Sequence, residues 1–203
     1  MVQNLPESLS AVVEQLARLP GFGPKSALRA AMAFLRWPAT ETRRLGAAIF
    51  ELREHLHLCG SCGAISDTDP CAVCSDPARS KDVLCITADW DSLLCIEEGG
   101  FYSGQYFILG GLLASAGDRA AENMNLERFD ARLAGGEIRE IIMALGTTVE
   151  AENTEAFLCA RARREHPEII LSRLAQGIPL CSEVKFVDRD TLRQSLKYRQ
   201  TLK

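Results

Sequence analysis

The sequence predicts a multi-module α/β protein: a helical amino-terminal segment, a compact metal-binding finger, and a parallel α/β body with a short tail. Three observations carry that expectation. Residues 7–56 are apolar at helical period and are interrupted by a Gly/Pro-rich turn. Four cysteines form two Cys-x-x-Cys pairs, Cys59/Cys62 and Cys71/Cys74, separated by eight residues. Beyond residue 80, short β-rich runs alternate with helical stretches.

Bulk properties narrow the class. The 203-residue chain is 47% apolar, which is enough to bury a core and excludes a disordered chain. No apolar run reaches the roughly 18–20 residues a bilayer span needs. The first residues, Met1-Val-Gln-Asn-Leu-Pro-Glu7, lack a basic-then-apolar signal pattern. A soluble cytoplasmic protein with no membrane partner is therefore expected. Cys85, Cys95, Cys159 and Cys181 lie in apolar surroundings and read as reduced, buried thiols. The net charge of −4 is unevenly spread: residues 1–58 hold seven Lys/Arg against five acids, and the remainder sixteen against twenty-two. That leaves room for a phosphate-binding patch at the amino end.

Leu9, Val12, Val13 and Leu16 recur as one face of a helix over residues 7–18. Leu19-Pro-Gly-Phe-Gly-Pro-Lys25 then breaks it into a tight hairpin. A second helix restarts with Leu28, Ala31, Met32 and Leu35 as its expected buried face. A third runs from about Thr40, with Leu45, Ala48, Ile49, Leu52 and Leu56 in register. Gly21 and Gly23 leave backbone N–H groups exposed where the second helix begins, and such a start binds anions through free amides and the helix dipole. At about 100° per residue, Lys25, Arg29 and Arg36 fall within about 40° of one another. Three cations on a helix are ordinarily a solvated face. Beside an amide nest they make a grip for a phosphate backbone, one that positions the protein and reads no bases. Pro-Gly-Phe-Gly-Pro-Lys resembles the helix-hairpin-helix motif of sequence-independent DNA binders.

The finger divides the chain. Each Cys-x-x-Cys knuckle presents two sulfurs about 2.3 Å from one Zn²⁺, and the loop between them brings the knuckles together. Four thiolates leave no open coordination position, so the ion is structural. A redox disulfide would explain one pair and leave the other idle. His55 and His57 read as ordinary polar residues at a helix end.

In the body, Asp82–Thr87, Gln105–Leu109, Ile138–Leu145 and Glu168–Arg173 read as strands. Asp91–Glu98, Asn125–Leu133 and Val149–Arg164 read as the helices between them. This order implies parallel βαβ units in a three-layer domain, with any ligand gathered at the carboxyl ends of the strands. Those ends are Ala88-Asp89, Gly110-Gly111 and Gly146-Thr147-Thr148.

Taken in order, these pieces resemble the RecR family of bacterial recombination mediators along essentially the whole chain. The resemblance rests on Leu19-Pro-Gly-Phe-Gly-Pro-Lys-Ser26, the four-cysteine finger with Cys74-Ser-Asp-Pro-Ala-Arg79, Tyr106-Phe-Ile-Leu-Gly-Gly111, Thr148-Val-Glu-Ala-Glu152 and Gly177-Ile-Pro179. It implies a helix-hairpin-helix domain over residues 1–56, a four-cysteine zinc finger over 57–79, a Toprim-like domain over 80–178, and a Walker-B-like segment with a helix over 179–203. It further implies a ring-shaped homotetramer that encircles DNA, works with RecO-like and RecF-like proteins, and helps load RecA on gapped or single-stranded DNA. Lys25 and Arg29 match the family's basic hairpin positions, whereas Arg36 is added on helical geometry alone.

Departures from the pattern bear on catalysis. Toprim enzymes hold Mg²⁺ with a carboxylate after the first strand and an Asp-x-Asp after a later one. Here those positions are Ala88, with Asp89 beside it, and Gly146 and Thr148; Asp89, Glu150 and Glu152 remain as a vestigial acidic site or a partner contact. Leu113-Ala-Ser-Ala-Gly117 and Cys181-Ser182 also depart from the family, and no Gly-x-x-x-x-Gly-Lys-Ser/Thr phosphate loop occurs. The expectation is a non-enzyme. Two alternatives remain open: a Toprim nuclease using Asp89, Glu150 and Glu152, and a zinc-ribbon RNA-binding module.

Overall fold

The computed structural model describes residues 5–115, 124–179 and 181–199. Ala116 and Gly117 of the 113–117 departure, Leu180 of the Walker-B-like stretch and residues 200–203 of the tail lie outside the described residues. The chain divides into two compact units, Met1–Leu56 and His57–Lys203.

The first unit is all helical: α1 Glu7–Leu16, α2 Pro24–Phe34 and α3 Ala39–His55. Its core is small. Val13, Ala27 and Ala31 are buried, with Leu5, Leu9, Leu16, Ala17 and Leu28 packed around them. The expected buried face of α2 is thus corrected. Ala27 and Ala31 stand one turn apart and, lacking bulk, let α1 approach closely. Met32 and Leu35 are 41% and 70% exposed. In α3 Leu45, Ala48, Ile49 and Leu52 keep helical register, whereas Leu56 stands just past the helix in extended conformation, and none of the seventeen helical residues is buried.

The second unit holds a two-stranded antiparallel ladder, β1 His57–Leu58 with β2 Ile65–Ser66. It also holds a four-stranded sheet of β3 Val83–Thr87, β4 Gln105–Ile108, β5 Glu140–Ala144 and β6 Ile170–Arg173. The sheet order is β4-β3-β5-β6, and every pair is parallel. Its helices are α4 Ala72–Ser75, α5 Trp90–Glu98, α6 Leu126–Ala134, α7 Val149–Glu165 and α8 Arg189–Lys197, the last preceded by a 3-10 turn at Val184–Phe186. The strand and helix pattern expected of a Toprim-like α/β domain is present.

Period-two alternation assigns each face of the sheet its own cover. Leu84, Ile86, Phe107, Ile141 and Met143 pack with Phe129 and Leu133 of α6 and with Ala151, Leu158 and Ala162 of α7. Cys85, Tyr106, Ile108 and Ala144 pack with Leu93 of α5 and with Cys59, Cys62 and Cys71 of the finger. The finger therefore shares a core with the sheet instead of standing alone. Of the four other cysteines, Cys85 is buried and Cys159 half-buried, but Cys95 and Cys181 are exposed, against expectation.

Candidate metal centre and nucleic-acid interface

The finger is built from backbone hydrogen bonds before any metal is considered. Cys59 N–H donates to the Ala64 carbonyl at 2.8 Å, and Gly63 N–H donates to the Cys59 carbonyl at 2.8 Å. Between them Gly63 takes φ +78°, a conformation glycine adopts without steric cost. In the second knuckle Cys71 precedes α4, and its carbonyl accepts from Ser75 N–H at 2.9 Å. Two N–H···S bonds tighten the site: Ala64 to Cys62 Sγ and Cys71 to Cys59 Sγ, each 3.4 Å. Asp69 Oδ1 accepts from Gly60 N–H at 2.8 Å and holds the intervening loop against the first knuckle.

The four sulfurs lie within 4.8 Å of one another, and those of Cys62 and Cys71 are 3.6 Å apart. A tetrahedral site with metal–sulfur bonds of about 2.3 Å has sulfurs about 3.8 Å apart, so the residues fit zinc. The thiol chemistry agrees. A hydrogen bond from Cys74 holds Cys62 down to about 6, and that same bond, with burial, pushes Cys74 up. Burial pushes Cys71 up to about 11. Such an arrangement favours the thiolate at Cys62 over those at Cys71 and Cys74; a dication would favour all of them by taking the place of the protons. The finger thus carries one structural zinc ion.

The arm leaving the finger is anchored by Arg79, whose side chain is 13% exposed. Its guanidinium pairs with Glu97 of α5, donates to the Gly104 carbonyl at 3.1 Å, and lies 5.9 Å over the Tyr106 ring. Asp76, 3.7 Å from Arg79 Nε, also accepts from Ala78 N–H at 2.8 Å and so shapes the turn.

In the helical unit, the hairpin is as compact as its glycines allow. Gly21 has φ +77°, Phe22 N–H donates to the Leu19 carbonyl at 3.0 Å, and Gly23 is the N-cap of α2 with Pro24 at its first position. No side chain caps α2, so its first free amides face outward, available to an anion. Lys25 and Arg29 lie on α2 and are exposed. Arg36 is exposed but stands beyond the last helical residue, Phe34, so the helical alignment used to include it does not hold there. Lys25, Arg29 and Arg36 form no ion pair among the described residues. Sequence reasoning passed over Arg43 and Arg44, exposed and likewise free of ion pairs among the described residues. Their adjacency was the available signal.

At the carboxyl ends of the strands, the acids serve helix starts. Asp89 caps α5 by accepting from Ser92 N–H at 2.8 Å, and its hydrogen bonds from Ser92 hold its carboxyl below the usual range. Gly146 has φ +90°, and Thr148 caps α7 by accepting from Ala151 N–H at 3.2 Å. Glu150 and Glu152 are exposed in the first turn of α7, where acids favour the helix dipole. Glu150 is held low by its own backbone N–H and by the Thr148 hydroxyl. Asp89, Glu150 and Glu152 do not converge: among the described residues only the four cysteines form a group of three or more metal-ligand side chains.

Comparison with known proteins agrees on both modules. Residues 9–52 match the family model described as RecR, helix-hairpin-helix, and residues 56–76 match the model for the four-cysteine zinc finger domain of RecR. The chain is 61% identical to the Recombination protein RecR of Nitratidesulfovibrio vulgaris (strain Miyazaki F), over 99% of this chain and 100% of that relative. It is 49% identical to that of Maridesulfovibrio salexigens over the same shares, and 37% identical to that of Syntrophomonas wolfei over 98% and 100%. With identity of this order from end to end, the chain belongs to the RecR family of recombination proteins.

Proposed function

We propose that the protein is a non-catalytic DNA-binding component of recombinational repair in the cytoplasm. In this reading it closes as a homotetrameric ring on DNA and acts with RecO-like and RecF-like proteins to help load RecA on gapped or single-stranded DNA. The observation that carries the reading is the uncapped start of α2 behind Gly21 and Gly23, with exposed Lys25 and Arg29 on the same helix. Amides and cations together suit a phosphate backbone of any sequence. Arg36 joins them as a flanking cation.

Residues 1–56 then serve as the gripping module, 57–79 as the finger, 80–178 as the sheet body and 179–203 as the tail. Two features support self-association. Ile49, Phe50 and Leu52 of α3 are 65%, 77% and 56% exposed, an apolar face that a second copy would cover. A few cations per subunit also bind DNA weakly, whereas four subunits sum their counterion release. The non-catalytic reading is supported by Ala88, Gly146 and Thr148 standing where Toprim enzymes place carboxylates. Asp89, Glu150 and Glu152 are left as a contact surface for a basic partner.

The test is retention on circular DNA. Incubated with a closed circle and with the same DNA linearised, the protein should stay on the circle at moderate salt, slide off the linear form, and sediment as a tetramer. Neither DNA should be cut in Mg²⁺. Equal release from both forms contradicts the ring, and nicking that is lost in Asp89→Asn contradicts the non-catalytic reading.

A further inference from the structure

Strand β4 is an edge of the sheet, yet at its carboxyl end both outward backbone groups of Ile108 are taken. Its inner side pairs with β3, and Leu109 N–H continues that ladder to the Thr87 carbonyl at 2.9 Å. Alternate residues point their N–H and C=O away from β3. Of these, the Gly104 carbonyl accepts from Arg79 at 3.1 Å. Ile108 N–H donates to the Cys62 carbonyl at 2.8 Å. The Ile108 carbonyl accepts from Asn125 Nδ2 at 3.0 Å. Asn125 also donates its own N–H to the Leu109 carbonyl at 2.9 Å. The knuckle lies directly on this junction: a Cβ on Gly63 would stand 3.3 Å from both Asn125 Nδ2 and the Ile108 carbonyl.

We propose that Asn125 is a positioning residue of the zinc centre, acting through Ile108 at the carboxyl end of β4, and that the bound metal in turn keeps that end of the edge closed. The chain of contacts is short. Zinc fixes Cys62; the Cys62 carbonyl holds Ile108 N–H; Asn125 holds the Ile108 carbonyl and, through Gly63, supports the knuckle from behind. Coupling of this kind is reciprocal, so whatever Asn125 contributes to metal retention the metal returns as order at Ile108. An uncovered edge strand is a template for pairing with another chain, which gives the arrangement a purpose beyond holding the metal.

Two measurements on the full-length, zinc-loaded protein test this. In hydrogen exchange with and without a chelator, the Ile108 amide should lose protection on metal removal, while the inward Leu109 amide keeps it. In a chromophoric-chelator assay, Asn125→Ala and the isosteric Asn125→Asp, which has no side-chain N–H to give, should release zinc about fivefold faster than the parent, the weight of one net hydrogen bond. Asn153→Ala is the control: Asn153 Nδ2 donates to the Ala114 carbonyl at 2.8 Å, away from the knuckle, and the variant should release zinc at the parent rate. Three results overturn the proposal: Ile108 protection unchanged by chelation, Leu109 losing protection as fully as Ile108, or Asn125 variants that release zinc no faster than the parent.

Discussion

Replacing Arg79 with Ala should be among the most damaging single changes outside the cysteines. The substitution removes a charge-assisted pair with Glu97, a hydrogen bond to the Gly104 carbonyl and a cation lying over the Tyr106 ring. It also leaves the Glu97 carboxylate, 29% exposed, facing a partly buried space with no cation. Breaking a fully buried pair costs about 3–5 kcal/mol; the residual exposure of Glu97 places this case lower, at about 2–4 kcal/mol. With an m-value of about 2 kcal/mol per molar urea, the midpoint should fall by about 1–2 M. The assay is urea unfolding of the zinc-loaded protein followed by circular dichroism. A double-mutant cycle with Glu97→Gln isolates the cause, because neutralising Glu97 removes the stranded charge. The double variant should therefore cost clearly less than the two single changes added together. A loss below about 0.5 kcal/mol for Arg79→Ala, or strict additivity with Glu97→Gln, would refute the argument that this pair bolts the finger's exit arm to α5.

Three further outcomes are expected. Cys59→Ser/Cys62→Ser should abolish zinc binding and loosen the sheet face that the cysteines cover, seen as lost near-ultraviolet dichroism, since structural zinc supplies on the order of 10 kcal/mol in small metal modules; a fully ordered double variant would remove the metal's structural role. Asp89→Ala should destabilise the protein by about 0.5–2 kcal/mol as a lost N-cap. Because hydrogen bonding depresses the folded carboxyl, its contribution is present above the ordinary Asp value of about 4 and is lost as pH falls through the lower folded value; stability curves for parent and variant should thus converge in acid, and a gap that widens there would contradict the cap. Ile49→Glu on α3 should lower the mass seen by light scattering while leaving helicity intact, and an unchanged mass would show that this face is not a subunit contact.

The parts of the fold that the sequence exposed are those governed by short-range rules. Cysteine spacing specified the finger because ligand geometry tolerates little variation. The strands were legible as apolar runs because β3 and β4 are buried on both faces. Packing partners were less legible. Helical period correctly aligned Leu28 and Ala31, but it could not tell that small Ala27, and not bulky Met32 or Leu35, meets α1. Nor could it tell that Ile49, Phe50 and Leu52 of α3 are exposed. The two-residue strands β1 and β2 are too short to have a period. At the candidate sites, all four cysteines converge as their spacing required, whereas Asp89, Glu150 and Glu152 turn out to serve helix starts. Arg79 was visible only as part of a motif, and Asn125 only as a helix-start residue. Their roles depend on contacts with residues far away in the chain, which no local pattern records.

The most direct test of the central claim is the salt dependence of DNA binding. For the parent, log Kobs against log salt should fall steeply, with similar slopes on unrelated duplex sequences. In Lys25→Ala/Arg29→Ala the slope should be shallower by about 1.8 for every subunit in contact, since each lost phosphate contact removes about 0.9. Parallel lines for parent and variant would contradict the account, because the hairpin cations would then have no part in holding the backbone.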